Sequence, residues 1–452
     1  MTADRFVSAD HIRSLFAQAM SHMYRTEVPL YGTLIELVGR INAQVLDDNP
    51  ALAAALARTD DLERIDLERH GAIRVGTAQE LAMLRRAFAV MGMYPVGYYD
   101  LAVAGVPVHS TAFRPVDAAS LSRNPFRVFC SLLRLELIDD AALREQAAAI
   151  LAARNIFTAQ AVALIEQAEA QGGLEPAQAE QFVAQVLETF RWHSDATVSL
   201  ATYQQLHDAH RLIADVVSFR GPHINHLTPR TLDIDAAQDA MVAAGIDAKA
   251  VIEGPPRRAC PILLRQTSFK ALNEPVNFVG DGGHGSHTAR FGEIEQRGLA
   301  LTPKGRTLYD QLLDQARQAD GAGSSGRDYE SRLAAAFAAF PDDWDTLRRE
   351  GLGYFRYQLT DAGRALPSAE RELPAEVLIE RGLASADAII YEDFLPVSAA
   401  GIFQSNLGGA EQRAYSEQAN QAAFEAALGA PVGDAFTLYA GLQQASLDTL
   451  GT

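Results

Sequence analysis

Two imidazoles flank a short apolar segment in the stretch Gly-Pro-His-Ile-Asn-His-Leu-Thr-Pro-Arg-Thr-Leu-Asp-Ile-Asp, residues 221–235. Pro222 and Pro229 bracket this segment, and their spacing disfavours an α-helix and predicts an extended chain. On an extended chain, side chains three residues apart point to opposite faces, so His223 and His226 are predicted to face different environments. We therefore expect His226 to face an interior site.

A second histidine and a pair of carboxylates lie on other predicted strands. The segment 68–75, Glu-Arg-His-Gly-Ala-Ile-Arg-Val, carries His70, and the segment 290–298, Arg-Phe-Gly-Glu-Ile-Glu-Gln-Arg-Gly, carries Glu293 and Glu295. Two histidines and one carboxylate from separate strands form the facial triad that suits non-haem Fe(II) and leaves coordination positions open. Glu293 and Glu295 share one face of an extended strand, so their spacing leaves the choice between them open.

Composition and charge restrict the classes of partner. The chain has 452 residues, 48% of them hydrophobic, which is enough for a core in one large domain or in two to three ordinary domains. The formal charge of −18 argues against nucleic acid and anionic membrane as partners, because both bind clustered cations. The N-terminus lacks the apolar core of a signal peptide, no window has the length of an uncharged transmembrane segment, and the two cysteines have no metal-type or redox-type spacing. We expect a cytoplasmic protein that acts on a small molecule.

The order β-α-β-β-β occurs twice in the predicted secondary structure. In the first copy, a strand carrying His70 precedes a helix that Thr77-Ala-Gln-Glu80 opens as a capping box, and three strands follow. The second copy begins with the strand carrying His226, and a helix and three strands follow. Two such modules are predicted to pair their sheets into a cup around one metal, so the predicted fold class is α+β.

Apolar residues at helical spacing occupy the rest of the chain. The last part contains the segment 388–406, where a small-residue turn at 398–401 lets backbone approach a ligand closely. We predict five regions, namely an N-terminal helical layer at 1–64, the first module at 65–138, a helical insertion at 139–220, the second module at 221–300 and a C-terminal helical region at 301–452.

The motifs resemble those of known enzymes. Glu-Ile-Glu-Gln-Arg at 293–297 resembles the last-strand motif of 4-hydroxyphenylpyruvate dioxygenase, a vicinal oxygen chelate enzyme whose metal carboxylate is the first Glu of that motif. Over 65–398, the chain resembles the 2-oxoadipate dioxygenase/decarboxylase family. This resemblance rests on four motifs, Glu-Arg-His-Gly-Ala-Ile-Arg-Val-Gly-Thr at 68–77, His-Ile-Asn-His-Leu-Thr at 223–228, Arg-Phe-Gly-Glu-Ile-Glu-Gln-Arg-Gly at 290–298 and Phe-Leu-Pro-Val-Ser at 394–398.

The resemblance implies a metal site and a fold. It implies that His70, His226 and Glu293 bind Fe(II), and it selects Glu293 over Glu295. It also implies a vicinal oxygen chelate-like core, in which two βαβββ modules form a cupped sheet around one metal, with large helical insertions and a C-terminal extension.

For the substrate, the resemblance implies that Arg74 pairs with a carboxylate and that Val397 and Ser398 line the pocket. Arg74 lies four residues after His70, so both side chains share one face of a strand. Gln266, on a strand of the second module, is predicted either to contact the substrate or to be a polar residue at the edge of the core.

The resemblance further implies the reaction. A 2-oxo acid that binds Fe(II) through its carboxylate and keto oxygen reacts with O2, so that 2-oxoadipate gives 2-hydroxyglutarate and carbon dioxide without a 2-oxoglutarate cosubstrate, as a step of lysine degradation. Two alternatives stay open for the same fold. One is a metal-dependent isomerase or lyase of the glyoxalase type, and the other is a small-molecule binding protein without catalytic activity.

Two further pairs of histidines are predicted to have no part in the chemistry. His284 and His287 lie in a Gly-rich segment, which is typical of a hairpin loop beside the site. His207 and His210 are predicted to be solvated helix residues, because no carboxylate motif accompanies them.

Overall fold

Helices form the N-terminal layer, as predicted. Ser8 caps the first helix by accepting a hydrogen bond from the backbone N–H of His11. The helices are α1 (Ala9–Glu27), α2 (Pro29–Asp48) and α3 (Pro50–Arg58). The structure is a computed structural model, and it describes residues 5–67, 69–280, 283–318, 326–367, 371, 373–395 and 414–451.

The first module has the predicted β-α-β-β-β order, with one short helix in addition between its last two strands. Thr77 and Glu80 form the capping box that opens its helix. The first strand runs parallel to the last, and the remaining pairs are antiparallel, which gives the strand order β2-β3-β4-β1. The elements are β1 (Arg69–Val75), α4 (Ala78–Val90), β2 (Tyr94–Asp100), β3 (Val108–Arg114), α5 (Ala118–Arg123) and β4 (Arg127–Leu133).

The segment predicted as an insertion is helical. Gly172 ends one of its helices with φ at +82°, a left-handed conformation that glycine adopts at low cost. The helices are α6 (Ala141–Ala153), α7 (Ala159–Gln171), α8 (Pro176–Leu187), α9 (Leu200–Ala209) and α10 (Arg211–Val217).

The second module differs from the prediction in two details. Its first strand begins one residue after His226, so His226 lies at the entrance to the strand. The module also has one strand more than predicted, because residues 284–288 pair with 273–277 in a hairpin whose buried face carries Val276 and His287. The elements are β5 (Leu227–Pro229), α11 (Ile234–Ala243), β6 (Leu264–Ser268), β7 (Asn273–Asn277), β8 (His284–Thr288) and β9 (Glu293–Arg297).

The two modules meet at their first strands. β1 and β5 pair antiparallel, with His70 opposite Thr228, and this pairing makes one sheet of order β2-β3-β4-β1-β5. A parallel bridge between Arg230 and Glu295 joins β9 to β5, and β6 pairs with β9. The predicted α+β class with a core of two joined modules is therefore confirmed.

The C-terminal region packs against this core through buried ion pairs. Arg114 on β3 donates two hydrogen bonds to Asp393, of 2.6 and 3.0 Å. The strand Ala384–Ala388 ends where the predicted pocket segment 388–406 begins, and most of that segment lies outside the described residues. The elements are α12 (Pro303–Gln318), α13 (Gly326–Phe337), α14 (Trp344–Arg349), β10 (Phe355–Leu359), α15 (Asp361–Arg364), α16 (Ala375–Glu380), β11 (Ala384–Ala388), α17 (Ala414–Leu428) and α18 (Ala435–Asp448). Among the residues that the structure describes, no helix combines the length and the apolar content needed to cross a bilayer.

Candidate metal and substrate site

Three side chains converge where β1, β5 and β9 meet. His70, His226 and Glu293 each offer one ligand atom, and these atoms all lie within 4.8 Å of one another. Nε2 of His70 is 3.1 Å from Oε1 of Glu293, and Nε2 of His226 is 3.7 Å from the same oxygen. The pairing of β1 with β5 and the bridge from Arg230 to Glu295 explain this meeting, because they bring three distant segments of the chain next to one another. Within the described ranges, no other group of three His, Cys, Asp or Glu residues is this close.

The polar atoms of this group fit a metal ion. Both ring nitrogens of His226 and Oε2 of Glu293 are buried without a hydrogen-bond partner, which is costly unless another group satisfies them. Burial lowers the pKa of His226 to about 4, so its imidazole is neutral and keeps the lone pair that a metal ligand needs. Two imidazole nitrogens and one carboxylate oxygen are the donor set of a non-haem iron site.

Glu295 lies behind His70. Its Oε2 is 2.9 Å from Nδ1 of His70, and Arg297 donates to both of its oxygens at 2.8 and 2.9 Å. Burial alone would raise the pKa of Glu295, but Arg297, His70 and Arg127 together lower it to about 2. An ionised Glu295 therefore favours the His70 tautomer with a proton on Nδ1, and Nε2 is left to face Glu293.

Two polar side chains orient Glu293. Gln266 donates from Nε2 to Oε1 of Glu293 at 2.7 Å, and the hydroxyl of Thr228 donates to the same oxygen at 3.1 Å. Gln266 was a site candidate from its sequence position, and the structure brings it into contact with the triad. Thr228 was missed, although it lies only two residues after His226. Its contact with Glu293 depends on the pairing of β5 with β1, which the sequence does not show.

Arg74 lies on β1, four residues after His70. Its NH1 donates to Oδ2 of Asp215 on α10 at 2.9 Å. Asp215 was missed from the sequence, because nothing local connects the helical insertion with β1. Val397 and Ser398, the other predicted substrate residues, lie outside the described residues.

The prediction that His287 lies in a loop was wrong. This residue is buried in the hairpin strand β8, where Nε2 is 2.9 Å from Oδ1 of Asp215 and Nδ1 is 2.8 Å from the hydroxyl of Tyr203. Strand alternation places His287 on the same face of the hairpin as Val276, and both side chains are buried there. His284, on the other face, is exposed and contacts Asn277.

The other histidines mostly follow the predictions. His223 faces a different environment from His226, with Nε2 3.1 Å from Nδ2 of Asn225, and burial lowers its pKa to about 3. His207 is exposed on α9, as predicted. His210 is half-buried and caps α10 by accepting a hydrogen bond from the backbone N–H of Leu212.

Comparison with known proteins gives a consistent family. The family model for 2-oxoadipate dioxygenase/decarboxylase matches residues 16–406. A relative with that name from Pseudomonas putida is 62% identical over 452 residues, which covers 99% of this chain and 97% of the relative. The relative from Escherichia coli, with the same name, is 60% identical over 434 residues and 96% of each chain. The relative from Mycobacterium tuberculosis is 38% identical over 460 residues, which covers 98% of this chain and 99% of the relative.

Solved structures agree with these relatives. The crystal structure of the hydroxyglutarate synthase in complex with 2-oxoadipate from Pseudomonas putida has a TM-score of 0.92 to this chain, at 60% identity and with 99% of both chains covered. The structure of an uncharacterized protein from Shigella flexneri has a TM-score of 0.89, at 55% identity, and covers 99% of this chain and all of the other. From the family match over most of its length and from these relatives, the chain belongs to the 2-oxoadipate dioxygenase/decarboxylase family of enzymes.

Proposed function

We propose that this enzyme is an Fe(II)-dependent dioxygenase/decarboxylase that converts 2-oxoadipate and O2 to 2-hydroxyglutarate and carbon dioxide. The observation that supports it most is the buried convergence of His70, His226 and Glu293 within 4.8 Å in a chain of this family. The relative crystallised with 2-oxoadipate, at 60% identity, supports the same substrate.

In this proposal, His70, His226 and Glu293 hold the iron, and Glu295 orients His70 from behind. When bound, Fe(II) supplies the redox chemistry with O2 that imidazole and carboxylate groups lack. Thr228 and Gln266 both donate to Oε1 of Glu293. Their hydrogen bonds restrict the carboxylate to one orientation, so that Oε2 is the atom available to a cation.

Arg74 binds the second carboxylate of the substrate in this proposal. It lies four residues after His70 on β1, and four residues of strand span roughly 13 Å. The long Arg74 side chain turns back toward His70 over part of this distance. Its guanidinium then reaches the far carboxylate of a six-carbon acid whose 2-oxo end lies beside His70, His226 and Glu293. A guanidinium matches a carboxylate better than an ammonium group does, because its N–H donors form a planar fork. We also propose that Gln266, Val397 and Ser398 line the substrate pocket.

Aromatic rings exclude water from the metal group. The ring of Phe394 packs edge-on against His70 at 4.9 Å between centroids, and Phe291 lies 4.7 Å from the ring of His226. The guanidinium of Arg297 stacks over Phe394 at 5.4 Å. A dry environment strengthens electrostatic contacts between the chain and an anionic substrate, and it protects reactive species from side reactions with water.

The proposal also covers location and organisation. We propose that the enzyme is cytoplasmic and acts in lysine degradation. The two buried free thiols, Cys130 and Cys260, are in keeping with a reducing compartment. The division into five regions at 64/65, 138/139, 220/221 and 300/301 is part of the same proposal, and the boundaries of the observed elements support it.

Oxygen stoichiometry tests the reaction. The Fe(II) protein should consume one O2 per carbon dioxide released from 2-oxoadipate, and 2-hydroxyglutarate should accumulate without added 2-oxoglutarate or nicotinamide. Labelled O2 should place one atom in the new hydroxyl and one in a carboxylate, apart from exchange with water. The His226→Ala variant is the matched control and should show neither uptake nor product. Turnover that continues unchanged without O2 would instead assign the isomerase or lyase alternative.

A further inference from the structure

A chain of three buried polar side chains begins at Arg74. Oδ2 of Asp215 accepts from NH1 of Arg74 at 2.9 Å, and Oδ1 of Asp215 lies 2.9 Å from Nε2 of His287. Nδ1 of His287 lies 2.8 Å from the hydroxyl of Tyr203. Asp215, His287 and Tyr203 are each less than a tenth exposed, and they come from α10, β8 and α9. We name these three residues the Arg74 anchor.

The donors and acceptors of the anchor are determined by its chemistry. Burial opposes ionisation of Asp215, but His223, His287 and Arg74 together hold its pKa well below the usual range. An ionised carboxylate only accepts hydrogen bonds, so Nε2 of His287 donates to Oδ1 of Asp215, and Nδ1 of His287 shares a hydrogen bond with the Tyr203 hydroxyl. Each oxygen of Asp215 therefore has one assigned donor, and the carboxylate has little freedom to rotate.

The Arg74 anchor is expected to add little to the free energy of unfolding. A buried ion pair contributes little net stability compared with apolar residues of the same volume, because desolvation offsets the attraction. The anchor instead connects the helical insertion and the hairpin to a residue that shares a strand with the metal ligand His70. The anchor holds the end of the Arg74 side chain, which has many rotamers. Without the anchor, substrate binding would have to restrict those rotamers.

We propose that Asp215, held by His287 and Tyr203, is a positioning residue that presents the Arg74 guanidinium to the second carboxylate of the substrate and thereby sets the preference for dicarboxylic over monocarboxylic 2-oxo acids. This inference rests on the proposed function. The physical basis is preorganisation: a guanidinium that is already ordered loses less entropy when the dicarboxylate binds. A guanidinium has five N–H donors, which is enough to contact two carboxylates.

The test compares 2-oxoadipate with 2-oxohexanoate, which has the same carbon chain without the second carboxylate. In Asp215→Ala, KM for 2-oxoadipate should rise about tenfold or more while kcat changes less than about threefold, because ground-state binding is what the anchor improves. KM for 2-oxohexanoate should stay within about twofold. Asp215→Asn keeps an oxygen acceptor for Arg74 and should restore part of the preference for 2-oxoadipate. Iron content should be unchanged in both variants.

Two further variants keep the test decisive if Asp215→Ala fails to fold. Tyr203→Phe removes only the far hydroxyl, and it should raise KM for 2-oxoadipate about two- to fivefold without changing KM for 2-oxohexanoate. Asp235→Asn is the matched control. Asp235, on α11, is likewise an aspartate paired with an arginine, since it accepts two hydrogen bonds from Arg265 at 2.6 and 3.1 Å, but it lies outside the Arg74 anchor. This control should leave both substrates unchanged.

The outcomes separate the inference from the proposed function. If the wild-type protein oxidises 2-oxoadipate but the Asp215 and Tyr203 variants lose both substrates equally or neither, the anchor does not set specificity and the inference is wrong. If the wild-type protein does not turn over 2-oxoadipate, the proposed function is wrong. Anaerobic calorimetry with 2-oxoadipate then decides the inference separately, since Asp215→Ala should weaken its binding about tenfold and an equal affinity would contradict it.

Discussion

Nδ1 of His70 lies 2.9 Å from Oε2 of Glu295, on the side of the imidazole away from Glu293. The two glutamates of one strand therefore contact opposite nitrogens of the same ring. Arg297 holds Glu295 and also donates to the backbone oxygens of Tyr391 and Asp393, at 2.8 and 2.9 Å. The orientation of one proposed metal ligand thus depends on a network that extends to the C-terminal region.

Metal retention distinguishes the two glutamates. We expect His226→Ala and Glu293→Ala each to abolish iron retention with the fold largely intact, because a three-ligand site loses most of its affinity with one ligand. Glu295→Gln should weaken iron binding by only about 10- to 100-fold, as is usual for a residue that orients a ligand. Iron per chain after dialysis, with circular dichroism as the control for folding, measures this. Loss of iron in the Glu295 variant with full retention in the Glu293 variant would reverse the assignment.

Arg74 should act on the substrate rather than on the metal. Arg74→Ala is expected to lower kcat/KM for 2-oxoadipate by the equivalent of about 2–5 kcal/mol, because the second carboxylate of the substrate loses its charged hydrogen-bond partner. Reaction with 2-oxohexanoate should lose far less. Arg86→Ala is the control, since Arg86 forms an exposed pair with Glu169 whose removal should change stability by at most about 1 kcal/mol. Equal losses on both substrates would show that Arg74 supports the strand instead.

The stability of the protein should fall between about pH 6.5 and pH 4. Burial, and then the nearby charge of Arg134, lower the pKa of His109 from 6.5 to about 4. In this window the unfolded chain takes up a proton that the folded chain excludes, so the free energy of unfolding decreases as pH falls, by up to about 1.4 kcal/mol per pH unit for this group. His109→Phe should remove this part of the slope in urea unfolding at pH 7 and pH 5. Parallel curves for the two proteins would rule out His109 as a cause.

Two glycines should respond oppositely to alanine. At Gly298, just after β9, an added Cβ would overlap the backbone of Pro261 and Ile262, and Gly298→Ala should destabilise the protein by about 1–3 kcal/mol or more. At Gly39, exposed in α2, an added Cβ meets nothing within 4 Å, so Gly39→Ala should stabilise the protein by about 0.5–1 kcal/mol through helix propensity. Melting temperatures of both variants measure the contrast. A stabilised Gly298 variant would mean that the loop at 261–262 moves away easily.

Sequence alone was sufficient for the elements whose signals are local. The capping box at Thr77–Glu80, the helical spacing of the insertion and the extended segments around His70 and His226 depend on neighbouring residues, and all were predicted. The strand at 284–288 was not predicted, because its Gly-rich composition is typical of a loop, and its structure comes from pairing with 273–277. Cross-strand hydrogen bonds and burial outweighed weak local propensity there.

The sequence by itself determined which residue types were available to bind a metal, since two histidines and a carboxylate on three strands restrict the chemistry whatever their distances. Only the tertiary structure decided how they are used. The pairing of β1 with β5, together with the bridge that joins β9 to Arg230, places Glu293 between two imidazoles and Glu295 behind one of them, although both share a face of one strand. It also brings Asp215 to Arg74, 141 positions away in the chain. Such contacts depend on strand register and on the packing of the helical insertion against the sheet, which arise from the burial of many residues at once and have no local signal in the sequence.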